Sequence, residues 1–361
     1  MSVGTPTAVI AAPLYNNADL LPETVESLLG QTEPDLALVL VDDCSTDATE
    51  SIARTFARAD ERVSFHRNAT RLGLLENTRE AQRLARELYP GARYFAFGSD
   101  HDVWHPSWLA QLVAALEAHE DAVLAYPHVQ RIDENGEVVS RRRIKSFDTV
   151  GLVSPRARFT ATLNQTGGGD MIYGLFRADE LGEIGSYRPL LRPDPLLLAE
   201  LALRGEFVQV PEVLWSRRFE RPATLRRQRR AFFPDGPPAT AYLPWWLAHP
   251  AAILWDYGLR GRGRPRVSRA GGARLAVVAL FVGVWRQIAH LTLTPRKSLK
   301  RHVRRTPRGL RRQRGRLRRV RRALSKSSRR QIRQVRRRVR VTVTGVRRRL
   351  MGGAGGRRAH Q

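Results

Sequence analysis

The chain is poor in cysteine, in long apolar runs and, over its last hundred residues, in acids. Cys44 is the single cysteine among 361 residues. One thiol forms no internal disulfide and supplies no cysteine-based zinc centre, which fits a reducing compartment. The longest apolar stretch of the C-terminal half, residues 275–285 (LAVVALFVGVW), has 11 residues. A membrane-spanning helix needs about 20, so a buried, interfacial or re-entrant segment is expected. The first seven residues lack a basic run, and the apolar stretch after them is short and contains Pro13. No secretory leader is read there, and a cytosolic body is expected. No acid follows Asp256: residues 260–361 hold 35 Lys and Arg, whereas residues 1–259 hold 27 basic and 34 acidic residues, a net of −7 in a chain of net +28. A mildly acidic body therefore carries a cationic extension. The sign of that body does not suit a basic nucleic-acid-binding domain.

Apolar residues make up 42% of the chain, enough for a sizeable core. Short β-branched or continuously apolar runs at 7–12, 36–41, 63–66, 94–97 and 122–126 read as strands. Segments 20–29, 48–59, 75–88 and 108–119 have helical spacing, the first with Pro22 in its opening turn and Gly30 as its stop. This alternation predicts an α/β fold with a mostly parallel sheet flanked by helices. Farther on, 195–204 reads as a helix stopped by Gly205, and 207–210 as a strand.

In such a sheet the ligand site lies at the carboxyl ends of the strands. Three strands here run into polar clusters: Tyr15-Asn16-Asn17, Asp42-Asp43, and Asp100-His101-Asp102. Asp100 and Asp102, at i and i+2, share a side if strand geometry persists. Their oxygens suit Mg²⁺ or Mn²⁺, which in turn can hold a diphosphate. An Asp after a strand also serves as a turn former or helix cap. Trp104 and Trp108 read as core aromatics, with stacking on a sugar or base as the other option.

The string VIAAPLYNN, LLPETVESLLGQT, LVLVDDCSTDATESI and YFAFGSDHDVWHPSWL, in that order, resembles family 2 inverting glycosyltransferases of the GT-A fold over roughly residues 7–225. The resemblance implies a metal-dependent, inverting, hexosyl-transferring enzyme that uses a nucleoside-diphosphate sugar. It implies that Pro13 and Tyr15 pack on the base, that Asp43 binds base or ribose, and that residues 99–102 hold the metal diphosphate. In the family register the usual acids fall on Ser99 and His101, with Asp102 on an extra acid. Either the motif has shifted to Asp100 and Asp102, or His101 is itself a ligand. The catalytic base falls on Asp194, whose acidic neighbour in the family is replaced by Pro193. An Asp in that place also has the spacing of a helix N-cap. Residues 166–177 (TGGGDMIYGLFR) resemble the acceptor-side loop.

Three segments are expected: a GT-A catalytic domain at 1–225, a Pro-rich and apolar helical segment at 226–294 that associates with membrane, and a helical or disordered Arg-rich tail at 295–361. In the tail, Leu310, Leu317, Val320 and Leu324 fall on one helical face. An anionic membrane surface on the cytosolic side is the expected partner, beside a glycan or lipid-linked acceptor. The tail lacks interleaved aromatics, which argues against nucleic acid. The alternative is a degenerate transferase-like binding protein tethered by its tail.

Overall fold

The computed structural model describes residues 5–140, 147–165, 169–218, 224–261 and 267–293. Residues 1–291 make up one compact unit and 292–361 a second. Expectations for the tail at 295–361 lie outside the described residues.

The chain runs β1 (Ala8–Leu14), α1 (Leu21–Leu29), β2 (Leu36–Asp42), α2 (Thr49–Ala59), β3 (Val63–Arg67), α3 (Leu74–Leu88), β4 (Tyr94–Phe97), β5 (Val103–Trp104), α4 (Trp108–Ala118), β6 (Ala122–Ile132) and β7 (Val138–Ser140). It continues with α5 (Pro155–Asn164), β8 (Leu175–Arg177), α6 (Ala178–Ile184), α7 (Asp194–Leu201), β9 (Glu206–Arg218), α8 (Leu225–Phe232), α9 (Trp245–Ile253), a π-helical turn (Leu254–Leu259) and α10 (Arg269–Leu293). The strands form one sheet in the order β3-β2-β1-β4-β8-β6-β9-β5, with β7 on β6. The half made of β3, β2, β1 and β4 is parallel. Beyond β4 the sheet is mixed, because β8 runs antiparallel to both β4 and β6.

Alternation sorts the apolar residues of β1 and β2 onto the two faces. Ile10, Ala12, Leu14, Leu38 and Leu40 join one core, covered by α1 and α4. Val9, Ala11, Val39 and Val41 join the other, under α3, α6 and α7. Trp104 and Trp108 are 2% and 0% exposed and meet edge-on at 6.4 Å, so both are core. A third core joins Phe159 and Leu163 of α5, Leu196 and Ala199 of α7, Ile253 of α9 and Leu275, Ala279 and Val282 of α10. The segment after 225 is thus packed into the same compact unit, over the outer side of α7. A buried charge group fixes it there: Glu200 of α7 pairs with Arg188, which also pairs with Asp256 of the π turn.

Two elements are longer than their sequence signals. The strand expected to end at Val210 continues to Arg218, because Pro211 and Glu212 fall in a bulge where the register against β6 jumps from Pro127↔Val210 to His128↔Val213. The apolar run of 11 residues sits inside a helix of 25. Arg274 and Arg286 interrupt the run, not the helix. Among the described residues, α10 is the one helix long and apolar enough to cross a membrane.

Candidate active site

Strands β1 and β2 end level, with Leu14 opposite Asp42, while β4 stops at Phe97, opposite Ala11. The loop after β4 therefore turns back over the end of β1. Asn16 and Cys44 both hold left-handed backbone, at φ 53° and 58°, a cost concentrated at the two loop entrances. The loops interlock: Asn16 N–H donates to Ser45 Oγ at 3.0 Å, Thr46 N–H to Asn16 Oδ1 at 2.8 Å, and Asn17 N–H to Thr49 Oγ1 at 3.1 Å. Asp47 accepts from the Thr49 and Ala18 amides at 2.9 and 3.0 Å, so it fixes both loops at the start of α2.

The two acids ending β2 do different work. Asp42 is fully buried and pairs with Arg67 at 2.5 Å. Asp43, 2% exposed, accepts from the Leu72 amide at 2.6 Å, the Gly73 amide at 2.8 Å and Asn68 Nδ2 at 3.2 Å. Its carboxylate thus shapes the loop at 68–73. That loop carries Arg71, whose guanidinium lies 4.2 Å from the centre of the Tyr15 ring. Pro13, in β1 opposite Val41, is partly exposed beside it.

The Asp100-His101-Asp102 cluster is not a strand. Asp100 and Asp102 each approach one nitrogen of the His101 ring. His101 Nδ1 is 2.7 Å from Asp100 Oδ1, and Nε2 is 3.8 Å from Asp102 Oδ1. The second oxygen of Asp100 accepts from the Tyr15 amide at 2.9 Å. Asp102, 1% exposed, accepts from the Arg218 amide at 2.8 Å, and burial pushes its carboxyl above the ordinary range. Among the described residues no group of three His, Cys, Asp or Glu could hold a metal ion. The donor set still fits a Mg²⁺-like ion, which takes one or two carboxylates and fills its remaining positions with water and phosphate oxygens. Asp100 and His101, with side chains 10% and 25% exposed, are the reachable members.

Asp194 begins α7, directly after Arg192, which is left-handed at φ 56°, and Pro193. Its carboxyl is not an N-cap; the helix has no side-chain cap. It accepts instead from the Tyr187 hydroxyl. Burial raises its pKa, against the opposing pull of the Tyr187 bond and of the Arg217 and Arg192 charges. A Cβ at Gly169 would lie 3.4 Å from Asp194 Oδ2, so that glycine leaves the carboxylate open toward the 169–173 turn.

Tyr173 and Arg217 tie the two acid groups together. Tyr173 is packed on Trp215 at 4.7 Å. Burial raises its pKa, and it senses the charges of Arg217, Asp102, Asp194 and Asp100. Arg217 pairs with Asp170 at 2.5 Å and is felt by both Asp102 and Asp194. Asp100, Asp102 and Asp194 therefore converge on one region. Asp43 stands at the neighbouring strand end, with its carboxylate turned to the loop at 68–73. Sequence reasoning missed Tyr173, Tyr187, Arg217 and Arg71. The one available signal was the Arg217-Arg218 pair at the end of an aromatic, alternating stretch. Residues 166–168 of the expected acceptor-side loop lie outside the described residues.

The glycosyl transferase family 2 model matches residues 9–180. A Bacillus subtilis glycosyltransferase named for teichuronic acid biosynthesis is 36% identical over 101 residues, 27% of this chain and 37% of that protein. A Mycobacterium tuberculosis PGL/p-HBAD biosynthesis glycosyltransferase is 32% identical over 128 residues, 35% of this chain and 48% of that protein. The matches thus span less than half the length of these curated relatives. Among solved structures, S. aureus TarS 1–349 in complex with UDP superposes with TM-score 0.52 at 16% identity, covering 82% of this chain and 75% of that one. The complex of the same protein with UDP-GlcNAc gives TM-score 0.52 over 81% and 77%. That likeness shows a shared GT-A fold. The strand-end loops that carry Tyr15, Asp43 and the Asp100-His101-Asp102 cluster all fall within residues 9–180, the segment that matches glycosyl transferase family 2.

Proposed function

We propose that the protein transfers a hexosyl group from a nucleoside-diphosphate sugar to a cell-surface glycan or lipid-linked acceptor, with inversion at the anomeric carbon. The observation that carries this reading is that Asp100, Asp102 and Asp194 all act on Tyr173, with Arg217 acting on Asp102 and Asp194. Tyr15 and Pro13 flank the nucleoside, and Asp43 holds the 68–73 loop against it. Asp100 and His101, with Asp102 buried behind them, would hold Mg²⁺ or Mn²⁺, which when bound neutralises charge on a diphosphate. Arg217 brings a fixed positive charge to the same region. Asp194 takes the proton of the attacking acceptor hydroxyl. A carboxyl whose pKa is lifted toward neutrality suits that task better than an ordinary one, and Tyr187 holds it in place. A single displacement opposed by one base inverts the configuration. The cationic extension and the outward apolar side of α10 support action at the cytosolic face of an anionic membrane.

The test is nucleotide release from a panel of nucleoside-diphosphate sugars by the purified full chain with Mg²⁺ or Mn²⁺, with and without a membrane extract as acceptor source. Turnover of one donor, stimulated by acceptor, is expected. Binding of nucleotide with no turnover of any donor would favour the alternative of a transferase-like binding body.

A further inference from the structure

Arg218 is the last residue of β9 and stands opposite Ile132, where pairing with β6 stops. Its side chain is 4% exposed, and an arginine is seldom buried so deeply without partners. Its guanidinium has them. Nε donates to the His101 carbonyl at 2.7 Å. One terminal nitrogen donates to the Asp133 and Glu134 carbonyls at 2.9 and 3.2 Å, and the other to Glu23 Oε2 at 2.6 Å. Separate pieces of chain therefore meet on one fork: α1 through Glu23, the loop after β4 through His101, and the turn between β6 and β7 through Asp133 and Glu134.

The backbone of the same residue holds that loop a second time. The Arg218 amide donates to Asp102 Oδ1 at 2.8 Å. Asp102 is tied at its other polar atoms too. The hydroxyl of Thr24, beside Glu23 on α1, donates to its carbonyl at 2.9 Å, and its own amide donates to Ser99 Oγ at 3.1 Å. Arg218 thus fixes the carbonyl of His101 and the carboxylate of Asp102 together, one through its side chain and one through its main chain.

Stability alone does not account for such a residue. Taking a guanidinium out of water is costly, and an apolar side chain of similar volume fills such a space with less penalty. Glu23 is 54% exposed, and an ion pair with one end in solvent adds little. What arginine adds over an apolar residue is direction, through N–H donors set in a rigid planar fork. A Mg²⁺-like ion tolerates little error in the placing of its ligands, and the groups that orient those ligands change ion affinity by about 10–100-fold.

We propose that Arg218 is the positioning residue of the ion site: through the His101 carbonyl and the Asp102 carboxylate it sets the loop so that Asp100 and His101 meet the ion in register. The proposal rests on the reading of residues 100–102 as the ion-holding loop of a transferase.

The test is titration of the full chain with UDP, GDP, ADP, CDP and dTDP, each with and without Mn²⁺, in the unaltered protein and in Arg218→Met, Arg218→Lys and Glu23→Ala. Electron paramagnetic resonance of the same samples counts bound Mn²⁺ directly. Arg218→Met should reduce the gain in nucleotide affinity from Mn²⁺ from about tenfold or more to about threefold or less, with less bound ion and little change in ion-free affinity. Arg218→Lys should fall the same way, because one ammonium cannot span acceptors on separate pieces of chain. Glu23→Ala alters a half-exposed position, so the fold should stand; with one end of the fork released, the gain should fall by about threefold. Undiminished gain in Arg218→Met overturns the proposal, and if that variant does not fold, undiminished gain in Glu23→Ala does so. Equal losses with and without Mn²⁺ overturn it too, since they mark a packing role alone. A full gain in Arg218→Lys would assign the effect to charge and overturn it as well. Each of these results leaves the transferase reading standing, whereas failure of every nucleotide to bind the unaltered protein sinks both.

Discussion

Asp194→Asn is expected to lower sugar transfer at least a hundredfold while the protein stays folded. General bases contribute about 10²–10⁴ in rate, and an amide accepts no proton. The substitution is nearly isosteric, and Asn Oδ1 still accepts from Tyr187. The stability sign follows from the raised pKa. The fold favours the protonated carboxyl, so the stability it brings is present at low pH and lost as pH rises through the folded-state value. At neutral pH the amide escapes that loss, and the melting temperature should hold or rise. The same shift predicts that activity in the unaltered protein falls, on acidification, at a pH above the ordinary carboxylate range. Tyr187→Phe removes the hydrogen bond that favours the ionised form and should move that acidic limb to higher pH. Rate profiles against pH and thermal melts of the three proteins check this. A fully active Asp194→Asn would leave the residue with a packing role only.

Asp43→Ala should damage both stability and donor binding. Asp43 accepts from three donors, at Asn68, Leu72 and Gly73, and Gly73 and Asn68 are buried. Stripping the acceptor from buried donors costs about 1–3 kcal/mol for each one left unpaired. A loss of roughly 2–4 kcal/mol is expected, read as a fall of about 5–10 °C in Tm for a unit of this size. The released loop no longer holds Arg71 against Tyr15, so nucleoside diphosphate affinity should fall at least tenfold. Asp43→Asn keeps one acceptor and should fall between. A variant with lowered Tm and unchanged nucleotide affinity would mean that the loop takes no part in the donor site.

The parallel half of the fold was legible because its signals are local. Strand β2 is apolar from Leu36 to Val41 and buried throughout, and α1 opens on Pro22 and stops at Gly30. Asp194 was named through the family resemblance, and the turn that follows its helix needs Gly205, where a Cβ would run into Val123 and the backbone of Asp121. The contacts that complete the site were not legible, because they depend on pairing across the sheet. Arg217 pairs with Asp170 and brings its charge to bear on the candidate base only because β9 continues past Pro211 through a bulge against β6. The strand geometry on which the i, i+2 argument for Asp100 and Asp102 depends is absent for a local reason. Strand β4 ends three residues before Asp100, and the loop folds back onto Tyr15. Helix α10 showed no amphipathic period in sequence because both of its sides are apolar.

The most direct test of the converging acids is titration of the full chain with a panel of nucleoside diphosphates, with and without Mn²⁺, in the unaltered protein and in Asp100→Asn. One nucleotide should bind, at least tenfold tighter with the ion present, and Asp100→Asn should lose that gain while still binding nucleotide weakly. Failure of every nucleotide to bind under either condition would contradict the account, as would an ion effect that survives in Asp100→Asn.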